Sequence, residues 1–448
     1  MLLLYNLLST LSLLIYLPWL LLKRVSDDKA RFLSERLGLS AYSKTDIWVH
    51  AVSVGETIAC LPFLRALKGE FPGKKILLST TTYTGQQIAR EKFPEADRIM
   101  YMPWDAGLCV KRVVNSLRPE VFITIETELW PVLFHGLNKS GSHILLLNGR
   151  LSPKSFKGYK ASRFFMKEVL SYADFLYMQT MEDAERIIAL GAPEEKVGSM
   201  GNFKFDIQFD KRAPLAWREG INGRIFLAGS THRGEDEIIL DAYKLIKGVR
   251  GHGSEGKDNT SDIKLIIAPR HPERFNEVEK LLKERGLNYI RRSEMQNIGK
   301  ISPIPSFPKR GTIIPPFDKG GQGGIFADII LLDTIGELSE LFSNAAITFI
   351  GGSLLPYGGH NILEPAYWAN PILFGPHMEN FPIAGEFLRK SAALEVKNAK
   401  EIAAAAAELL QKPEKAKLMG ENARAILDEN KGAVERALKL VRSYLGPA

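Results

Sequence analysis

Three glutamates stand where predicted strands end, a position from which a side chain can act on a ligand. Glu56 follows a strand and a turn in "HAVSVGET", residues 50–57, and Glu126 and Glu128 lie in "ETELWP", residues 126–131. Alternate strand residues project on one face, so the latter two carboxylates lie close together and raise each other's pKa. A carboxylate such as Glu56 can act as general base on a hydroxyl, or simply favour a helix start. Both functions of Glu56 remain open.

A second polar segment, "GGSLLPYGGHNILEPA" at residues 351–366, contains two glycine pairs. The pattern predicts a strand, a loop and a helix, whose unpaired N–H groups and dipole favour an anion. Glu364, in that helix, is placed to accept hydrogen bonds from the hydroxyls of a ribose. The glycine spacing matches neither of the standard dinucleotide or P-loop motifs, so tight turns alone are an alternative.

Basic side chains follow several other predicted strands. Arg150 lies in "NGRLS", Lys204 in "GNFKFD", and Arg270 with His271 in "APRHPERF". Arginine can hold a carboxylate or phosphate with two hydrogen bonds, and histidine can donate to phosphate oxygens. Each alone is also consistent with a solvated surface charge. Together with residues 351–366 and the "GSTHRGE" segment, they indicate a nucleotide site.

Composition limits the class of protein. The 448 residues are 45% hydrophobic and 25% charged, which is typical of a folded globular chain. The net charge of +8 suits an anionic partner, but no basic run interleaved with aromatics and no zinc-ligand pattern is present. We therefore expect no nucleic-acid partner and no metal. Cys60 and Cys109 lie in apolar helical patterns, which favours buried, reduced thiols.

The order of predicted elements indicates two α/β domains. Apolar strands alternate with amphipathic helices from residue 46, and a second series starts near residue 224. This alternation predicts two parallel, doubly wound sheets facing a cleft. We expect a membrane anchor at 1–22, a first domain at 23–210 and a second at 211–448. Polar, Gly/Pro-rich stretches near 250–262 and 296–327 are expected to be inserted loops of the second domain.

The N-terminal 22 residues contain no charged side chain. A helix of this length can cross a hydrocarbon core of about 30 Å. No small-residue cleavage site follows, so an anchor is favoured over a signal peptide. Lys23, Arg24, Lys29 and Arg31 follow the apolar segment and predict that the rest of the chain is cytoplasmic. Spanning the bilayer and lying in its interface both remain open.

The motifs taken together resemble one known family. "HAVSVGET", "TIETELWP", "NGRLS", "GNFKFD", "GSTHRGE", "APRHPER", "DTIGEL" and "GGSLLPYGGHNILEPA", in this order, resemble the 3-deoxy-D-manno-octulosonic acid (Kdo) transferases of lipopolysaccharide synthesis. The resemblance covers nearly the whole chain. It implies the GT-B fold, with an acceptor-binding first domain and a nucleotide-sugar-binding second domain. It further implies inverting, metal-independent transfer of Kdo from CMP-Kdo to a lipid A precursor (lipid IVA) at the cytoplasmic face of the inner membrane, without a cofactor.

The resemblance also implies roles for individual residues. Glu56 would be the general base, and Glu126 or Glu128 would belong to the same catalytic site. The glycines and the helix at Asn361 would hold the CMP phosphate, Glu364 the ribose, and main-chain groups of residues 336–338 the cytosine. Arg270 and His271 would neutralise the leaving phosphate. The complete nucleotide-sugar set is Ser230, Arg270, His271, Gly336, Glu337, Leu338, Gly351, Gly352, Gly358, Gly359, His360, Asn361 and Glu364. Arg150 and Lys204 are candidates for contacting the sugar carboxylate.

Three other functions are compatible with this order of elements. One is a related GT-B enzyme that uses a UDP-sugar, and another is a sugar-nucleotide epimerase of similar fold. Such an epimerase needs no membrane anchor, so residues 1–22 argue against it. The third is a catalytically silent, membrane-bound nucleotide sensor. In such a protein Glu56→Ala would leave turnover unchanged and CMP binding intact.

Overall fold

The computed structural model describes residues 1–22, 27–206, 215–248, 262–297 and 327–446. The chain forms two compact units, Met1–Gln208 together with Asn430–Ala448, and Phe209–Glu429. The basic residues Lys23 and Arg24 and most of both predicted inserted loops lie outside the described residues.

The first unit contains a seven-stranded parallel sheet with the order β3-β2-β1-β4-β5-β6-β7. Its strands are β1 (Ile47–His50), β2 (Ile76–Thr80), β3 (Arg98–Tyr101), β4 (Val121–Ile125), β5 (His143–Gly149), β6 (Phe175–Met178) and β7 (Val197–Ser199). Its helices before residue 209 are α1 (Leu2–Leu22), α2 (Asp27–Arg36), α3 (Val54–Glu70), α4 (Tyr83–Lys92), α5 (Gly107–Leu117), α6 (Pro131–Lys139), α7 (Pro153–Lys160), α8 (Arg163–Ser171) and α9 (Met181–Ala189). Two 3₁₀ helices follow at Glu194–Lys196 and Phe203–Phe205.

Both faces of this sheet are covered, as the predominantly apolar sequences of its central strands require. Trp48 packs edge to face on Phe122 in the core on one side of the sheet. Ile47 and Val49, which project the other way, belong to a second core with Phe63. Both cores are fully buried at these positions. The loops after β1 and β4 are thereby fixed on a rigid base.

The second unit contains another seven-stranded parallel sheet, with the order β10-β11-β9-β8-β12-β13-β14. Its strands are β8 (Arg224–Thr231), β9 (Ile263–Pro269), β10 (Tyr289–Arg291), β11 (Ile329–Leu331), β12 (Ala345–Ile350), β13 (Ile372–Phe374) and β14 (Leu394–Glu395). Its helices are α10 (Glu235–Gly248), α11 (Phe275–Glu284), α12 (Leu338–Leu341), α13 (Leu363–Tyr367), α14 (Ala384–Arg389), α15 (Ala399–Gln411) and α16 (Pro413–Glu429). Its 3₁₀ helices are Ala216–Gly220, Pro272–Arg274, Arg292–Asn297 and Phe342–Asn344. The prediction of two Rossmann-like α/β domains is confirmed.

The last helix, α17 (Ala433–Leu445), belongs to the first unit rather than the second. Ala437 and Val441 are fully buried in the core that contains Val49. Both Asp206 carboxylate oxygens accept from main-chain N–H groups at its start, at 2.7 Å each. The predicted second domain, 211–448, therefore extends too far by this helix. The amphipathic pattern of residues 433–445 predicted α17 but not the sheet on which this helix packs.

The order of strands reverses at one point in each sheet, between β1 and β4 and between β8 and β12. The loops after these four strands diverge there and leave a crevice, which is where open α/β sheets bind ligands. Most of the predicted site residues lie in these loops.

Helix α1 lies against the first unit. The Ser9 hydroxyl donates to the Asp105 carbonyl at 2.7 Å, and the Gly107 N–H donates to Asn6 Oδ1 at 2.7 Å. Among the helices within the described ranges, none is both long and apolar enough to cross a membrane. The predicted membrane-spanning anchor is therefore not supported.

Candidate functional site

Glu56 lies in the first turn of α3, directly after the end of β1. Its Oε2 accepts from the Val52 N–H at 2.8 Å, and its Oε1 accepts from the Ser53 hydroxyl at 3.0 Å. Ser53 is the N-cap of α3 and accepts in turn from the Glu56 N–H. This reciprocal arrangement is a capping box that fixes the carboxylate in one orientation. The helix-start interpretation of Glu56 is confirmed, and the carboxylate still lies at the crevice edge of the sheet.

Glu126 and Glu128 follow β4, the strand next to β1. Glu126 has a left-handed backbone with φ of 59°, an uncommon conformation for a residue with a side chain. Non-glycine residues in this conformation cluster at functional sites. The loop is also tied to β5, because the Thr127 hydroxyl donates to the Arg150 carbonyl and accepts from the Arg150 N–H. The main chain that carries both glutamates is therefore held in place.

The three carboxylates affect one another electrostatically. Burial and repulsion from Glu56 raise the pKa of Glu126, and burial with repulsion from Glu56 and Glu126 raises the pKa of Glu128 to about 7. Burial also raises the pKa of Glu56, which the Val52 N–H, the Ser53 hydroxyl and Lys204 oppose. Lys204 and Arg150 oppose the shift at Glu126. The structure thus brings together all five residues predicted in the first domain.

We expect Glu128→Gln to stabilise the protein at alkaline pH. The folded pKa of Glu128, about 7, lies above its usual value, so its contribution to stability is present at low pH and is lost as pH rises through 7. The amide cannot ionise, and the free energy of unfolding should increase by about 1–3 kcal/mol at pH 8 and clearly less at pH 5. Urea unfolding at both pH values measures this. Exposed Glu95→Gln is the control, and an equal effect of both variants would contradict the prediction.

In the second unit, the loop after β12 is organised by a buried carboxylate. Glu235, the first residue of α10, is fully buried and accepts four main-chain hydrogen bonds. Its Oε2 accepts from Gly352 and His232, and its Oε1 accepts from Ser353 and Leu354, at 2.6–2.9 Å. The N–H groups of residues 352–354 are therefore used inside the protein. The interpretation that the first glycine pair presents its N–H groups to a phosphate is wrong for Gly352.

The four glycines of this loop are explained by close packing. A Cβ at Gly351 would lie 2.3 Å from the Ser230 carbonyl oxygen, and a Cβ at Gly358 would lie 2.4 Å from the Asn380 side chain. Gly359 has φ of 75°, and a Cβ there would lie 2.3 Å from Met378 Sδ, so a side chain would be strained and would displace Met378. Tight turns required by packing, the alternative to direct anion binding, account for these positions. Ser230 itself has φ of 59° and lies at a bulge of β8.

Two histidines from different loops meet above Gly352. His232, after β8, and His360 have their Nε2 atoms 2.7 Å apart, and their nearly parallel rings have centroids 5.0 Å apart. His271 lies edge-on to His232 at 5.4 Å between ring centroids. A Cβ at Gly352 would come within 3.0 Å of the His360 ring. The structure thus brings the predicted His271 and His360 together around His232, which was not predicted.

We expect Gly352→Ala to disrupt this histidine cluster. The residue has φ of 69°, and the added methyl group would contact the rings of both His360 and His232. Left-handed strain alone costs about 1 kcal/mol, and displacing the rings adds to this. Nucleotide affinity, measured by calorimetry, should fall at least about tenfold. Gly248→Ala, where a Cβ meets nothing within 4 Å, is the control. Unchanged affinity in Gly352→Ala would contradict the prediction.

Glu364 lies in α13, which begins at Leu363 rather than at Asn361 and is only five residues long. Its Oε1 accepts from the Asn361 side-chain amide at 3.1 Å, and its Oε2 accepts from the Ser339 hydroxyl at 2.7 Å. The carboxylate is thus oriented by two neighbours and keeps lone pairs for further donors. Its predicted contact with ribose hydroxyls is compatible with this geometry and stays a prediction.

The "GEL" segment, residues 336–338, follows β11 and begins α12. Glu337 makes a bidentate ion pair with Arg292, with both distances 2.8 Å, and also accepts from the Thr334 hydroxyl. Its side chain therefore fixes the loop, and Gly336 takes a left-handed conformation with φ of 92°. Only main-chain groups were expected to contact the cytosine, and this arrangement leaves that prediction open.

Arg270 and His271 directly follow β9, beside the loop after β8. The Arg270 N–H donates to the Thr231 carbonyl at 3.0 Å, and both side chains are exposed. Their charges act on the cluster, since burial together with Arg270, His232 and His271 lowers the pKa of His360 to about 4. Two exposed cationic or neutral donors beside a histidine pair can bind an anion. Their role at a leaving phosphate stays a prediction.

Sequence reasoning missed three residues of this site, His232, Glu235 and Ser339. The first two lie in "GSTHRGE", a segment that contributes to the predicted nucleotide site without an individual role for either residue. Glu235 is at a helix start, a common position for a carboxylate, so its long-range partners had no local signal. Among the described residues, no group of three or more His, Cys, Asp or Glu side chains could hold a metal ion.

Solved structures of similar fold cover most of the chain. A protein from Listeria monocytogenes described as a putative UDP-N-acetylglucosamine 2-epimerase aligns over 91% of this chain and 98% of its own, with a TM-score of 0.56 and 14% identity. The enzyme of that name from Neisseria meningitidis, bound to UDP-GlcNAc, aligns over 89% of this chain and 100% of its own, with a TM-score of 0.54 and 12% identity. At such identities these similarities support the two-domain fold alone.

Sequence comparisons indicate a family. The family model described as "3-Deoxy-D-manno-octulosonic-acid transferase (kdotransferase)" matches residues 31–207. A 3-deoxy-D-manno-octulosonic acid transferase of Haemophilus influenzae is 32% identical over 92% of this chain and 91% of its own length. A bifunctional glycosyltransferase/methyltransferase of Fusobacterium nucleatum is 33% identical over 89% of this chain, which spans 57% of that protein. The chain therefore belongs to the 3-deoxy-D-manno-octulosonic acid transferases, a family of glycosyltransferases, which confirms the resemblance seen in its motifs.

Proposed function

We propose that this protein transfers Kdo from CMP-Kdo to a lipid A precursor such as lipid IVA, with inversion and without a metal ion or other cofactor. The observation that carries the proposal is the group of three carboxylates with Lys204 and Arg150 at the strand-order reversal of the first sheet. Membership of the Kdo transferase family supplies the transferred sugar.

In this proposal Glu56 accepts the proton of the acceptor hydroxyl. Its carboxylate is oriented by two hydrogen bonds from the capping box, and Lys204 favours its ionised form. Glu128, with a pKa of about 7, exchanges a proton in the working range and is the better candidate for a second acid–base group. Lys204 and Arg150 both favour the ionised form of Glu126. This carboxylate is therefore better suited to hold the two cationic side chains in place.

The nucleotide occupies the crevice edge of the second sheet. Arg270, His271 and His360 face the phosphate, Glu364 holds the ribose, and residues 336–338 contact the cytosine through their main chain. What supports this is the convergence of these side chains on the loops after β8, β9, β11 and β12. The Gly352 N–H is not used, because it already donates to Glu235.

The epimerase alternative is not favoured. Two epimerases share the fold at 12–14% identity, which supports architecture but not activity. A UDP-sugar transferase stays open as the alternative donor class. A donor screen with CMP-Kdo and UDP-sugars on the detergent-solubilised full chain, with product mass as readout, tests all three. Transfer from a UDP-sugar only, or epimerisation, would contradict the proposal.

We further propose that α1 attaches the protein to the cytoplasmic face of the inner membrane by lying in the interface. One side of α1 contacts the first unit, whereas the other exposes apolar side chains, with Leu3 at 85% and Ile15 at 78%. The exposed set is Leu3, Leu4, Leu7, Leu8, Leu11, Leu14 and Ile15. Phe164 and Leu108, also exposed, are next in sequence to residues that α1 approaches. Such a surface suits the headgroup boundary of a bilayer.

We expect Leu7→Glu with Leu11→Glu to detach the protein from membranes. These leucines are one helical turn apart and both exposed, and each contributes about 1.5–3 kcal/mol when buried in lipid. Binding to phosphatidylethanolamine/phosphatidylglycerol vesicles, measured by co-sedimentation, should fall about 100-fold. Leu418→Glu, at an exposed leucine of the second unit, is the matched control. Equal binding of the double variant and the control would contradict interfacial attachment.

A further inference from the structure

The contact between His232 and His360 constrains where their hydrogens lie. Two nitrogens 2.7 Å apart must share a hydrogen, so one ring carries Nε2–H and the other presents a bare Nε2. If both rings are neutral, the first has a bare Nδ1 and the second an Nδ1–H. The neutral pair therefore has one N–H donor outside the shared hydrogen bond, at an Nδ1 atom. We call a donor at Nδ1 an outward donor. Adding one proton gives both rings an Nδ1–H and keeps the shared hydrogen bond.

The surroundings of the pair keep it neutral while no anion is present. Burial and, to a smaller extent, the neighbouring cations lower the pKa of both rings, and together they lower that of His360 to about 4. The groups that face the pair are Arg270 and His271 after β9, Arg274 with its partner Asp236, Tyr357 stacked on His232 at 4.3 Å, and Glu235 beneath its main chain. Asp236 pairs with Arg274 and Glu235 is held by four N–H groups, and among the charged neighbours the cations are the ones that lower the pKa of the two rings.

We propose that the His232–His360 pair is a proton-accepting part of the nucleotide site, and that it binds one proton together with the phosphate of the donor. This inference rests on the proposed function and adds His232 to its site. An anion beside Arg270 compensates the repulsion that keeps the rings neutral. The proton then doubles the number of outward N–H donors from one to two. Nucleotide affinity should accordingly rise as the pH falls through the neutral range.

Calorimetry of the full chain tests the proton directly. The probe is the methyl phosphodiester of CMP, whose phosphate is singly charged like the phosphate of the donor and has no proton that titrates near neutrality. Titrations at pH 6.5 and 7.5, each in two buffers of different ionisation enthalpy, give the number of protons taken up per ligand bound. We expect uptake that approaches one proton at pH 6.5 and decreases at pH 7.5.

Two variants identify the proton's site. His232→Gln and His360→Gln should each abolish proton uptake and weaken binding of the probe at pH 6.5 by about tenfold. The affinity of both variants for the probe should not change between pH 6.5 and 7.5. His143→Gln, at a histidine of the first unit that contacts Asp174, should behave as wild type. Because these readouts are proton counts, a merely structural role of the pair would not reproduce them.

The outcomes separate this inference from the proposed function. Binding by wild type without proton uptake overturns the inference and leaves the cytidine nucleotide site intact. Unchanged uptake in both histidine variants likewise overturns it. Failure of the folded wild-type protein to bind the probe contradicts the proposed donor itself, and the inference falls with it.

Discussion

Glu56→Gln should lower the rate of Kdo transfer about 10³-fold, a typical contribution of a general base. The amide preserves the size of the side chain and one acceptor oxygen but cannot take a proton. Wild-type transfer should also slow as the pH falls through the pKa of Glu56, which burial raises, because the base is then protonated. Product mass from CMP-Kdo generated in situ, measured over time, gives both results.

The capping box offers a control that separates catalysis from helix capping. Ser53→Ala removes the hydroxyl that caps α3 and donates to Glu56, which should cost about 1 kcal/mol of stability. Transfer by Ser53→Ala should stay within about tenfold of wild type, since the carboxylate and the Val52 hydrogen bond remain. If Glu56→Gln loses stability but keeps its transfer rate, Glu56 only caps the helix.

Glu235→Ala should destabilise the second unit by about 4 kcal/mol and remove nucleotide binding. The substitution leaves four main-chain N–H groups without their acceptor, three of them in the loop after β12. A buried donor left unsatisfied costs about 1–3 kcal/mol. Glu235→Gln should be nearly as harmful, because its amide group would face two N–H donors.

Hydrogen exchange measures the effect of Glu235→Ala at individual N–H groups. A local measurement is needed because the chain has two units, whose unfolding need not be a single two-state transition. The N–H groups of residues 352–354 should lose protection by orders of magnitude, and calorimetry should detect no CMP binding. Asp241→Ala, on the exposed side of the same helix, removes the ion pair with Arg285 and should change neither measurement. Retained protection at residues 352–354 would show that Glu235 does not organise the loop.

The fold was predictable from the sequence because its signals are local. Runs such as "DIILLD" and "AAITFIGGS" have apolar centres without polar alternation, as a strand covered on both faces requires, and they alternate with amphipathic helices. Placing Glu56, Glu126 and Glu128 at strand ends needed only this alternation. The electrostatic interactions among them confirm that these side chains are neighbours.

What sequence reasoning could not reach depends on partners distant in the chain. The Gly352 N–H meets a carboxylate 117 positions earlier, so a loop that looks like an anion site already contains an internal anion. The left-handed conformation of Glu126 likewise arises from its place between β4 and β5 and not from its residue type. The packing of α17 on the first sheet has the same origin, because an amphipathic pattern defines an apolar face without specifying its partner.

The position of α17 has a consequence for synthesis on the ribosome. The second unit is complete once Glu429 has emerged, whereas the first unit still lacks the helix that buries Ala437 and Val441. The domain that is begun first is therefore finished last. Until α17 has emerged from the ribosome, the apolar surface that receives it, around Val49 and Phe63, stays uncovered. A nascent chain stalled before residue 430 should consequently recruit chaperones through its N-terminal domain, although that domain was translated long before.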